Sequence, residues 1–181
     1  MTENLAFLPS VSASDTGSDD DPYYYVYDYE GSSVSSAKES DNYTTKGVLY
    51  NWEAAKISCP PKWHLPSDDD WKKLETHLGM NPSDVDDIDW RNSGNVGHKL
   101  KSISSWTDGN GDNSSGFDAL PGGLRAYGGG FYDIDVYGNF WSSSHTESSK
   151  AWTRYMGSMY EGVNRAASEK RRGFSVRCIR D

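Results

Sequence analysis

The sequence predicts an α+β domain. Two helix signatures with clear start and stop signals fall between residues 50 and 79. From Gly94 onward, short apolar runs alternate with Gly, Asn and Ser clusters, the pattern of strands joined by turns. The chain also carries 7 Trp, 12 Tyr and 5 Phe, far more aromatic surface than a disordered chain tolerates. Helices first and many short strands after imply a mainly antiparallel sheet.

Length and charge set the outer bounds. The 181 residues suit one domain spanning 1–181, with an acidic Tyr/Ser-rich segment, 1–46, ahead of a main body, 47–181. Val, Ile, Leu and Phe make up only about 15% of the chain, and the net charge is −9. Those two values alone fit disorder, so the aromatics have to build the core. No apolar run approaches the ~18 residues that cross a bilayer, and Leu5–Pro9 is too short for a signal-peptide core. Residues 1–46 carry nine acids against Lys38 and Lys46, whereas 150–181 carry eight bases against Glu161, Glu169 and Asp181. Internal neutralisation of the acidic segment by the basic end is expected, and no nucleic-acid partner.

Along the chain, Tyr23–Tyr29 alternates aromatics and suits an extended segment, flanked by loops at Ser10–Asp21 and Gly31–Thr45. Tyr50–Ser58 reads as a short helix ended by Pro60-Pro61. Ser67 opens a stronger helix. It caps the first turn, Asp70 completes a capping box, and the acids Asp68–Asp70 favour the positive helix end. Trp71, Leu74 and Leu78 then share a face, and Gly79 stops it. Pro82–Trp90 reads as a further helical turn. Strands are expected at Lys99–Ser104, Gly116–Leu120, Gly123–Ala126, Gly130–Ile134, Asn139–Ser143, Ala151–Met156, Gly162–Ala166 and Phe174–Ile179. The expected core is Trp52, Trp63, Trp71, Leu74, Leu78, Phe117, Leu120, Trp141, Trp152, Phe174 and Val176.

Few motifs carry chemistry. The run Asp108-Gly109-Asn110-Gly111-Asp112-Asn113 resembles a calcium loop through Asp108, Asn110 and Asp112. Asn113 stands where such loops need Gly, and Ala119 where they need Glu, so a polar turn is the default and no cofactor is expected beyond calcium. The four histidines show no metal-ligand spacing. No nucleophile elbow, P-loop or dinucleotide fingerprint occurs. Cys59 and Cys178 form no CxxC pair, and the residues alone allow either two reduced thiols or one long-range disulfide.

Several stretches are specific when taken together. They are Met1-Thr2-Glu3-Asn4-Leu5, Gly47–Trp52, Cys59-Pro60-Pro61-Lys62-Trp63-His64-Leu65-Pro66-Ser67-Asp68 with Trp71 and Leu74, Gly116–Gly123 with Arg125, Phe140-Trp141-Ser142-Ser143, Ala151-Trp152 with Arg154, and Gly173-Phe174-Ser175-Val176-Arg177-Cys178. In this order they resemble the Fibrobacter succinogenes major paralogous domain, a family of bacterial surface and secreted proteins. The resemblance implies a C-type lectin-like fold, with two main helices, an antiparallel sheet and long irregular loops. It implies that Cys59 and Cys178 pair, and hence an extracellular or cell-surface location. In the family a strand and a leader usually precede the stretch matching Met1–Leu5.

The resemblance also ranks functions. The related formylglycine-generating enzymes use a close cysteine pair that this sequence lacks, and the calcium-dependent sugar motifs of animal lectins are absent. The expected function is a non-enzymatic module that binds a glycan or a protein surface. A retroelement-diversified display protein and an enzyme of the formylglycine-generating group are the alternatives. The expected binding face runs from Thr153 to Arg172, with Trp106 or Tyr132 at its edge. It comprises Thr153, Tyr155, Ser158, Tyr160, Glu161, Asn164, Ser168, Glu169, Arg171 and Arg172, a mixture suited to adaptable contact.

Overall fold

A computed structural model describes residues 1–181. It is a mixed α+β fold, with five short helices and a six-stranded sheet. Strand β1 (Tyr24–Tyr25) pairs with β2 (Leu49–Tyr50), and β3 (Trp63–His64) with β10 (Ile179–Arg180). The large sheet contains β4 (Asp89–Arg91), β5 (Gly122–Arg125), β6 (Phe131–Ile134), β7 (Tyr137–Glu147), β8 (Lys150–Gly157) and β9 (Val163–Glu169). Its order is β4-β9-β8-β7-β5-β6, antiparallel except where β5 meets β7. No helix is long and apolar enough to cross a membrane.

The helices follow their caps. Asn51 caps α3 (Trp52–Ile57), and Ser67 caps α4 (Asp68–His77) with Asp70 closing the expected capping box. Gly79 takes the positive φ, 106°, that lets the chain leave α4. The loop expected at Gly31–Thr45 is instead two short helices, α1 (Val34–Lys38) and α2 (Asp41–Lys46). Ser33 and Ser40 nucleate them, each accepting a backbone N–H from the first turn. Pro82–Trp90 forms turns that lead into β4, not helix. The strand expected at Lys99–Ser104 is the end of α5 (Val96–Leu100) and a loop, and Gly116–Leu120 is a loop with one bridge at Ala119. Phe174–Val176 runs extended without a full ladder, bridging Tyr50 and Phe140 singly.

Two apolar cores flank the sheet. One face packs Trp141, Ala151 and Tyr155 on Tyr24, Tyr50, Trp52, Phe174 and Val176, with Leu5, Leu8 and Val11 of the acidic segment inside it. The other packs Phe140, Met156 and Val163 on Trp71, Val96 and Leu100. Of the expected core, Trp63, Leu74, Leu78, Phe117, Leu120 and Trp152 are only half-buried. Trp152 is covered by a guanidinium, since Arg165 stacks 3.6 Å over its ring.

Cys59, just after α3, and Cys178, just before β10, form a disulfide with Cα atoms 5.8 Å apart. No ion pair joins residues 1–46 to the basic C-terminal stretch, contrary to the expected neutralisation. Four of those bases, Arg154, Arg165, Lys170 and Arg177, are buried instead. Arg154 and Arg165 meet acids of α4, while Arg177 donates to the carbonyls of Phe117 and Asp118 at 2.6 Å each.

Candidate functional site

The β8–β9 hairpin holds the expected binding face, but both its faces are packed. Thr153, Ser158, Asn164 and Ser168 are buried and present nothing to solvent. Thr153 donates to the Ala166 carbonyl at 2.9 Å and lies 3.2 Å from the Ser168 hydroxyl, which also bonds to Tyr155. Tyr155 is half-buried, with its ring edge on Phe174. The alternation expected to leave one face free fails because a core covers each side of the sheet. At the far end, Glu169 pairs with Arg172 at 2.6 Å, and Arg171 lies 5.5 Å over the half-exposed Tyr127 ring. Of the ten residues, only Tyr160 and Glu161 are exposed, at the hairpin tip. Trp106 is buried and donates to the Ser102 hydroxyl, whereas Tyr132 is exposed.

The tip gathers an aromatic cluster. Trp90, from β4, stacks on Tyr160 with ring centroids 3.8 Å apart and planes 9° from parallel. Register places Tyr137 opposite Gly157 and Trp90 opposite Asn164, so all four residues share one face of the sheet. Gly157 makes the cluster possible. A Cβ there would lie 2.7 Å from the Tyr160 ring, 3.0 Å from Tyr137 and 3.4 Å from Trp90. Burial, then the neighbouring Tyr160, raises the Tyr137 phenol above its ordinary pKa. Beside the cluster, Met159 is 79% exposed. The Asn164 side-chain oxygen is buried without a partner beneath it. Trp90 had no sequence signal. It sits in an acidic, turn-rich stretch where nothing marks a strand.

The loop resembling a calcium site packs against this tip. The side chains of Asn110 and Asp112 are engaged at home, accepting the backbone N–H groups of Trp106 and Ser114. Asp108 points to solvent, and no cluster of three or more His, Cys, Asp or Glu side chains is arranged to hold a metal. Gly109 instead turns its carbonyl onto the buried Lys101 ammonium. His98 lies 3.1 Å from Glu161 and 3.8 Å from Asp112, linking α5 to the tip.

Two other places gather charged or apolar side chains. Under the sheet, Glu75 takes a bidentate pair from Arg91 and a 2.6 Å bond from Arg154, while Asp68 binds Arg154 and Arg165. Burial alone would raise the Asp68 pKa, but the hydrogen bonds of Arg165 and the charge of Arg154 outweigh it and hold the carboxyl well below its usual range. Acids locked in this way brace the fold and do not shuttle protons. A cleft of about 310 Å³ is lined by Trp71, Leu74, Phe117 and Ile179. It is the better-formed cavity, yet its polar groups face elsewhere. Asp70 bonds Ser67, and Arg177 bonds backbone carbonyls. The tip, with the exposed Tyr160 and Glu161 side chains beside Met159, is the stronger candidate.

Fold and tip together define a disulfide-closed α+β domain that braces irregular loops against a sheet and exposes an aromatic cluster at one hairpin. The chain belongs to the Fibrobacter succinogenes major domain family, whose model matches residues 1–180. No curated protein and no solved structure matches it.

Proposed function

We propose that the domain is a non-enzymatic recognition module on a C-type lectin-like scaffold, working at the cell exterior. It binds a glycan or a protein surface through Trp90, Tyr137 and Tyr160. The observation that carries this is the Trp90–Tyr160 stack at an exposed tip beside Met159. Stacked aromatics supply large, rigid contact area at little entropic cost, and such anchors dominate recognition energy. Solvent-facing apolar and aromatic groups gathered in one place cost solubility and commonly mark contact surfaces. The Cys59–Cys178 bond suits an oxidising compartment.

The test is a glycan array and a surface-protein panel probed with the folded domain, with and without calcium. A bound ligand should lose affinity by about 2 kcal/mol or more on Tyr160→Ala, with circular dichroism unchanged. Unaltered affinity for every bound ligand sinks this site.

A further inference from the structure

One buried side chain holds the hairpin tip from beneath. Lys101 leaves α5 in extended backbone, ψ 144°, and is wholly buried. Its Nζ lies 3.1 Å from the Gly109 carbonyl oxygen, 3.2 Å from that of Gly157, 3.3 Å from Ser158 and 3.0 Å from Tyr160. Four carbonyls thus converge on a group with three protons, so at least one bond is shared. Three of the four belong to the tip. No carboxylate bonds the ammonium, although the Glu161 charge acts on it from farther off. Burial pulls its pKa below the ordinary lysine value, a cost the carbonyl dipoles offset.

The surroundings fit a cage. Gly109 passes so close that a Cβ there would lie 2.6 Å from the Ser158 oxygen. Gly111 passes equally close to Lys101, its Cβ position 2.3 Å from the Lys101 oxygen. Without a central positive charge, the negative ends of four carbonyl dipoles would face one another across a space that is buried at Gly157 and Ser158. Cation-binding loops solve the same problem with an ion taken from solution.

We propose that Lys101 is a positioning residue whose ammonium stands where a loop-bound cation would. It fixes Gly157–Tyr160, and so the stack of Tyr160 on Trp90. This rests on the reading of the tip as the recognition surface, and it makes recognition independent of added calcium.

The experiment is amide hydrogen exchange on Lys101→Ala, which removes the stem and charge and opens a channel the shape of n-propylammonium. Exchange at Ser158–Gly162 should quicken about tenfold or more, with β7 and residues 150–156 of β8 unchanged, since the loss is local. n-Propylammonium chloride should restore the slow rate. Tetramethylammonium chloride at equal ionic strength should not, because it has no N–H to donate. Lys101→Met keeps most of the stem volume without the charge. It should show the fast tip with no rescue, which separates charge from packing. Unchanged tip exchange, acceleration spread evenly through β7 and β8, absence of propylammonium rescue in Lys101→Ala, or failure of both variants to fold each overturns the proposal. Ligand binding does not enter this readout, so an intact affinity in Tyr160→Ala refutes the recognition reading while leaving the cage to stand or fall alone.

Discussion

The molecule buries positive charge in two ways. Between α4 and the sheet, Arg91, Arg154 and Arg165 meet Asp68 and Glu75 in a closed network. In the loop-built half, Lys101, Arg125 and Arg177 lie equally deep with no bonded carboxylate, each surrounded by backbone carbonyls. Regular elements satisfy their own backbone groups, so a charge lying against them needs a side-chain partner. Irregular backbone leaves carbonyls unpaired, and a buried donor answers several at once. Cation burial here follows the local supply of unsatisfied oxygen.

Breaking each half tests the contrast. The loop half is closed by the Cys59–Cys178 bond, which spans a separation of 119 residues. On the loop-entropy model, replacing both cysteines by Ala should cost about 5 kcal/mol. Urea melts of the double variant should therefore show a large drop in midpoint, and a small one would mean that the carbonyl-held cations close this half unaided.

Next in size is the network. Arg154→Met removes the arginine shared by two buried carboxylates, leaving Glu75 with Arg91 and Asp68 with Arg165, and should cost about 3 kcal/mol. The same network contributes to acid sensitivity. The Asp68 carboxyl is depressed in the folded state, so its contribution is complete above its unfolded pKa of about 3.9 and fades as pH falls toward the folded value. Asp68→Asn should flatten the acid limb of the stability profile. Lys101→Met should leave that limb's slope unchanged, because no carboxylate bonds Lys101. Equal flattening by both variants would erase the distinction between the halves.

The smallest effect belongs to Arg125. Its guanidinium reaches the carbonyls of Ser14, Thr16, Tyr127 and Arg171 at 2.7 to 3.3 Å. Arg125→Met should cost about 1–3 kcal/mol, less than Arg154→Met, since loop carbonyls can relax toward water. A thermal melt ranking the two the other way would reverse the comparison.

The sequence reveals the two halves unevenly. The Ser67–Asp70 capping box announces α4, because a cap is a local device written in four consecutive residues. Strands β5 to β9 are legible from turn residues at their ends. The paired cysteines follow from the family resemblance. The helices α1 and α2 escape notice because each is under two turns long, with no apolar stripe to read. The inward arginines escape for a different reason. Sequence patterning places charge in solvent, and only tertiary structure shows which acids or carbonyls meet it. The binding face fails in the middle of β8 and β9 because period-two alternation cannot tell a sheet with one covered face from a sheet with two. Exposure is kept only at the tip, where Tyr160 and Glu161 leave the sheet.

The pairing of distant segments governs how the chain is made. Leu5 donates to Val176 and accepts from Val48, while Tyr50 and Phe174 exchange hydrogen bonds in both directions. During synthesis the first of these partners emerges long before the last. Trp141 and Tyr50 wait for Phe174, against which Trp141 packs at 4.6 Å. Cys59 stays a free thiol until Cys178 arrives. Vectorial folding from the first residue therefore gains little, and the fold closes in a late step, once the segment from Phe174 to Cys178 is free to pair.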